Sequence, residues 1–179
     1  MSKKTLSPRP SQLKRVDFVT RFADIYEHSS WVAELAWERG IGEDQDSPQG
    51  LAEAMARILE EASTDRQLEV IRAHPDLAGK AAIAGTLTND STREQAGVGL
   101  DQCTPEEMAR FERLNAAYKK RFGFSFVMAV SGSDRYAILA AFDKRLENSI
   151  EEERRTAIEQ INRIALFRLK ARAVSQERT

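Results

Sequence analysis

The sequence predicts an all-α fold: a single-domain helical bundle with one buried extended segment at about residues 122–132. Apolar residues recur at helical spacing along most of the chain, and helix-start signals stand ahead of them. One run, Phe122 to Gly132, has neither charge nor helical periodicity. At 179 residues the chain can bury a core and is too short for two comfortable domains.

Residues 1–10, with Lys3, Lys4, Pro8, Arg9 and Pro10, read as a flexible basic lead-in, and residues 11–175 as the helical domain. From Ser11 the positions Leu13, Val16, Val19, Phe22 and Ile25 recur in three-residue steps, predicting a first helix. Ser30 is expected to cap a second helix through Arg39, with Trp31, Leu35 and Trp37 inward and Gly40 ending it. Gly40 to Gly50 is rich in Gly, Asp, Ser and Pro and reads as a loop. Helical patterns resume over Leu51–Glu61 and Arg66–Ala73, followed by a short alanine-rich turn of helix from Leu77 to Ala84 closed by Gly85.

Ser91, with Glu94 three residues on, has capping-box spacing. Thr104-Pro105-Glu106-Glu107 combines an N-cap, a first-turn proline and an N3 glutamate, so a helix is expected to about Arg121. Phe111, Leu114 and Tyr118 share one face of it. Ser133 is expected to cap the next helix, and Ser149 with Glu152 to open the last. The charged run Glu147–Arg155 reads as a solvated helix surface. Phe122–Gly132 could form a short strand, but no second strand candidate exists to pair with it. Its backbone polar groups need partners, supplied by a core crossover or by a ligand.

Several function classes are excluded. A net charge of −1 gives no general attraction to nucleic acid or anionic membrane. No apolar run approaches the ~20 residues of a membrane span, and the N-terminus lacks a signal-peptide core. The lone Cys103 fits a reducing, cytoplasmic setting and reads as structural. Two histidines, His28 and His74, and one cysteine at no ligand spacing provide no metal site. There is no phosphate loop and no G-x-S-x-G elbow, so an enzyme of this sequence is expected to work without a cofactor.

The most pointed motif is His74-Pro75-Asp76-Leu77. Proline disfavours helical geometry in the residue before it and suits the first position of a new helix. His74 is therefore expected at a corner near the positive end of a following helix, which would keep its ring neutral and able to take up a proton. A lone histidine there caps or packs as readily as it reacts. For Ser91 and Glu94, capping and ligand contact both stand, and an arginine on a final helix is ordinarily solvated.

The motif belongs to an ordered series: Leu87-Thr88, Ser91-x-x-Glu94-Gln95-Ala96-Gly97, Leu114-Asn115-x-x-Tyr118, Phe122-Gly123-Phe124-x-Phe126, Arg145-Leu146-x-Asn148 and Ile164-Ala165-x-x-Arg168-Leu169. Over roughly residues 13 to 170 this series resembles the OHCU decarboxylase family, which acts on 2-oxo-4-hydroxy-4-carboxy-5-ureidoimidazoline in the urate-to-allantoin pathway. The resemblance implies an all-α homodimer without metal or organic cofactor. It implies that His74 and Glu94 are catalytic. It further implies that Pro75, Ser91, Glu94, Gln95, Arg168 and the backbone of Phe126, Val127, Met128, Ala129 and Val130 contact substrate. Ser125 stands where many relatives have proline, which implies a less rigid approach to the pocket.

The implied substrate carries an imine carbon beside its carboxylated carbon and so supplies its own electron sink, which other decarboxylases draw from a cofactor. The protein must then hold the substrate and deliver one proton to one face. An imidazole with a pKa of ~6.5 suits that task. Other readings of the same residues are a ureide-binding module without turnover and a silent pathway scaffold. A nucleic-acid-binding domain is disfavoured by the charge balance.

Overall fold

The computed structural model describes residues 4–174, with Lys80, Ala81 and Val174 followed as backbone only. It is all-helical, and no β-strand occurs among the described residues. Two compact units form, one from Met1–Ala73 with Asn162–Thr179, the other from His74–Ile161. No described helix is long and apolar enough to cross a membrane.

The first unit holds α1 (Arg15–Phe22), α2 (Trp31–Arg39), α3 (Pro48–Glu60), α4 (Thr64–Ala73) and the last part of α9 (Ile150–Val174). The chain ahead of α1, expected to be loose, is tied down from Leu6. That side chain is buried, and its N–H donates to the Asp46 carbonyl at 2.7 Å. Asp46 also accepts from the Ser11 N–H and hydroxyl at 2.9 and 2.8 Å.

The three-residue repeat misplaces the first helix. α1 starts at Arg15 rather than Ser11, Val16 is exposed, and Phe18 and Phe22 face inward. A strict three-residue step lags the ~3.6-residue turn, so the stripe drifts off the buried face, whereas an i,i+4 pair stays on it. Ser30 has helical backbone angles and its hydroxyl donates to Glu34 at 3.1 Å, so it does not cap α2. The small residues Ala33 and Ala36, with Val32, face the core. Trp31, Leu35 and Trp37 are half-buried, Trp37 packing against Phe18 with ring centroids 5.4 Å apart.

α3 begins inside the expected loop. Ser47 accepts from the Gly50 N–H at 3.0 Å and Pro48 occupies the first turn. Gly50 is required there because a β-carbon would lie 1.9 Å from the Asp44 carbonyl oxygen. That close approach explains a glycine within a helix.

The second unit holds α5 (Lys80–Ala84), α6 (Asn89–Gly97), α7 (Pro105–Phe122), α8 (Arg135–Arg145) and the first part of α9. The Thr104 capping box forms as expected, and Ser149 and Glu152 exchange bonds of 2.8 and 3.2 Å at the head of α9. Two caps differ from expectation. Thr88, not Ser91, caps α6, so Ser91 lies inside the helix and is buried. Asp134, not Ser133, caps α8 by accepting from the Ala137 N–H at 2.8 Å. In both cases the side chain in the extended residue before the first turn takes the amide, as capping geometry demands.

α7 ends where Gly123 turns left-handed (φ 75°), and residues 124–130 then run buried, Met128 partly so, without regular secondary structure. Phe126 stacks on Phe142 with centroids 3.7 Å apart and meets Tyr118 edge-on at 5.3 Å. Arg145 Nη1 donates to the Val127 carbonyl at 2.7 Å, and the Ala129 N–H donates to Gln160 Oε1 at 3.0 Å.

Arg145 is held in turn by Glu153, whose exposure is 0%, through Nε and Nη2 bonds of 3.1 and 2.9 Å. Asn148 Nδ2 donates to Glu153 at 2.9 Å, the Tyr118 hydroxyl donates to it as well, and the guanidinium lies 4.2 Å from the Phe126 ring centroid. The run Glu147–Arg155 is therefore not only a solvated surface: Glu153 points into the core, where its charge has a fixed partner.

Glu153→Ala leaves a buried guanidinium without its counter-ion and is expected to destabilise the protein by about 3–5 kcal/mol in urea unfolding. A loss under about 1 kcal/mol would mean that the pair behaves like a surface bridge. Burial, and for Tyr118 the bond to Glu153, raise the phenol pKa of Tyr26 and Tyr118 above the ordinary 10.0. An acid held protonated only in the folded state stabilises fully below its unfolded pKa. Stability should therefore fall as pH rises above about 10. Tyrosinate absorbance from these two residues should appear together with unfolding rather than before it.

Candidate active site

Every site residue expected from the sequence except Arg168 belongs to the second unit. His74 is buried and directly follows Ala73, the last residue of α4. The next helix begins only at Lys80, so Pro75 is not in its first turn and His74 does not stand directly ahead of it. The expectation that Pro75 opens the next helix is overturned. The Pro-Asp-Leu-Ala-Gly sequence makes a five-residue turn before the helix can start.

That turn is built from outside. Gln95 on α6 accepts the Ala78 N–H at 3.0 Å and donates from Nε2 to the Asp76 carbonyl at 3.4 Å. Asn115 on α7 donates from Nδ2 to the Leu77 carbonyl at 3.0 Å. One turn further along α7, Lys119 pairs with the Asp76 carboxylate. These contacts hold Ala78 at φ 52°, a left-handed conformation costing a non-glycine residue about 1–2 kcal/mol. Gly79 completes the turn, since a β-carbon there would meet Asp76 Cβ at 2.6 Å.

Ser91 and Gln95, four residues apart on α6, are buried on one face, and Glu94 beside them is half-buried. Helix α7 serves two parts of the candidate site: Asn115 and Lys119 reach the turn after His74, while Tyr118 packs against Phe126. Pro75 and Met128 are half-buried, and Phe126, Val127, Ala129 and Val130 are buried.

Arg168 lies in the first unit and departs from the solvated pattern of a terminal-helix arginine. Its side chain is 3% exposed, Nη1 donates to the Ile25 carbonyl at 3.3 Å, and Nη2 faces Glu27 Oε1 at 3.4 Å. Glu27 itself is 2% exposed. A cavity of about 430 Å³ in the same unit, lined by Asp44, Ser47, Glu53 and Arg57 among others, contains none of the expected site residues. Among the described residues no three His, Cys, Asp or Glu side chains converge as a metal site.

Sequence reasoning gave no individual role to Asn115 and Arg145, which stand in the motif series, placed Glu153 on a solvated surface, and passed over Glu27. Asn115 left a usable signal: it stands four residues after Phe111 on the buried stripe of α7, where a polar side chain needs a buried partner. Glu27 and Glu153 left none, because an acid in a charged or turn segment looks the same whether it faces water or a buried arginine.

The family model described as OHCU decarboxylase matches residues 11–170. The chain is 41% identical over 168 residues to a 2-oxo-4-hydroxy-4-carboxy-5-ureidoimidazoline decarboxylase of Haloferax volcanii, covering 92% of this chain and 96% of that one. It superposes on the crystal structure of an (S)-allantoin synthase with a TM-score of 0.72 at 30% identity, over 91% of this chain and 52% of that chain, so it spans about half that protein's length. An OHCU decarboxylase solved in the presence of (S)-allantoin shares the fold, with a TM-score of 0.64 at 21% identity over 82% of this chain and 93% of that one.

Gln95→Leu deprives the buried Ala78 N–H of its acceptor. It is expected to lower stability by about 1–3 kcal/mol. Chemical denaturation checks this, and an unchanged midpoint would show that the turn holds without α6.

Proposed function

The chain belongs to the OHCU decarboxylase family, and on that premise we propose that it converts 2-oxo-4-hydroxy-4-carboxy-5-ureidoimidazoline to (S)-allantoin without a cofactor, with His74 as proton donor. The observation that supports this most directly is the corner itself. A buried histidine leads into a strained turn fastened by two other helices, which is the local rigidity that delivering a proton to one face requires.

In the reaction the bond between ring carbon and carboxylate breaks, carbon dioxide leaves, and the electron pair moves toward the neighbouring imine. His74 then delivers its proton to the former imine carbon from one side, while the hydroxyl on the decarboxylated carbon becomes a carbonyl and its proton passes to the former imine nitrogen. Imidazole is suited to this because its ordinary pKa is ~6.5.

Glu94 orients the His74 ring or accepts from ureido N–H groups, and Ser91 and Gln95 offer hydrogen bonds from the same helix. Pro75 and the backbone from Phe126 to Val130 contact the substrate, and Arg168 grips a carboxylate or carbonyl oxygen with paired donors. The protein works as a homodimer in the cytoplasm. A non-catalytic ureide binder of the same fold is the alternative, and it makes no demand on His74.

The deciding experiment adds protein to substrate made freshly from urate with uricase and hydroxyisourate hydrolase, and follows near-ultraviolet circular dichroism. Wild type should generate the (S)-allantoin signal rapidly. His74→Ala should match the protein-free blank while keeping a cooperative thermal transition. A wild-type trace equal to the blank would reject the decarboxylase reading. A fully active His74→Ala would remove the histidine from the chemistry.

A further inference from the structure

We infer that Asn115 is a positioning residue of the reaction, acting on His74 through the turn at residues 76–78. The inference rests on the proposed role of His74 and goes beyond it by naming what sets the histidine's place.

Once α4 has ended at Ala73, the chain has no helical hydrogen bonds of its own until Lys80. A helix-free turn with a proline at its start and a left-handed alanine has little intrinsic preference for one shape. Its geometry comes from side chains outside it. Gln95 takes two of its backbone groups, and Asn115 takes the carbonyl of Leu77 at 3.0 Å, midway between the Gln95 contacts at Asp76 and Ala78. Asn115 is 5% exposed and Leu77 is 8% exposed, so the bond is out of water's reach. Because α7 is an 18-residue helix with a full capping box, it provides a rigid anchor for that bond.

Only the amide nitrogen of Asn115 is engaged. Its Oδ1 is buried with no hydrogen-bond donor among the described residues. Leucine, of similar size, therefore removes the clamp while giving up a single bond. Asn115 does not touch substrate in this scheme: displacing the turn displaces His74, and a misplacement of about 1 Å in a reacting group can cost on the order of 10²-fold in rate.

The experiment measures kcat and KM in the allantoin-forming assay for Asn115→Leu, with thermal transitions recorded in parallel. Two further variants separate positioning from stability. Gly79→Ala disturbs the same turn from within, because its β-carbon would meet Asp76 Cβ at 2.6 Å. Phe111→Leu weakens α7 packing against Phe142, where the rings lie 6.2 Å apart, and removes none of the hydrogen bonds that Gln95 and Asn115 make to the turn. The expected result is a kcat reduced by about 10- to 100-fold in Asn115→Leu and Gly79→Ala with KM nearly unchanged, and a lower melting temperature but normal kcat in Phe111→Leu.

The inference is overturned if folded Asn115→Leu keeps wild-type kcat, or if KM alone rises. Where Asn115→Leu does not fold, a wild-type kcat in Gly79→Ala overturns it equally. A wild type no faster than the blank sinks the decarboxylase reading instead, and is told apart by needing no variant.

Discussion

The second unit is organised around the buried Arg145–Glu153 pair. Two charges out of water are tolerable only where their polar atoms are engaged, and each nitrogen and oxygen of this pair has a partner, Tyr118, Asn148 and the carbonyl of Val127 among them. The pair therefore joins α7, α8, α9 and the irregular segment at one point. An apolar substitute could fill the space, yet it could not hold a main-chain carbonyl. Charge is used here to fix a stretch of backbone that no helix or sheet supports.

The same device appears in lighter form at the corner after His74. There the amides of Gln95 and Asn115 hold the main chain, with Lys119 neutralising Asp76. Two irregular stretches of the unit, residues 74–79 and 124–130, are thus shaped by side chains of neighbouring helices rather than by their own propensities. α7 takes part in both, through Asn115 and Lys119 at one and Tyr118 at the other. Rigidity in stretches without regular secondary structure has to come from such contacts.

The sequence revealed the helical class, the two strongest caps at Thr104 and Ser149, and the helix-free run after Phe122, because each is a local signal. It misled where two local signals competed. Ser91 and Ser133 had the right residue type, but Thr88 and Asp134 stood in the extended position before the first turn and took the amide. Gly50 looked like a loop because its reason, the Asp44 carbonyl pressed against it, is a contact within the folded unit. The charges of Glu27, Glu153 and Arg168 were illegible for the same reason: burial is a property of the partner surface, and the partners lie up to 141 residues away. Of the site residues, His74 stood out by rarity, while the roles of the others came from the family pattern.

The fastening of residues 124–130 runs through main-chain atoms: the carbonyl of Val127 and the N–H of Ala129 are what Arg145 and Gln160 hold. Side chains at 127 and 129 can then drift among similar apolar residues over evolutionary time with the hydrogen bonding intact. Arg145 and Gln160 have no such freedom. Sequence divergence in this region should therefore be lopsided, with the helices that grip the segment kept more strictly than the segment itself.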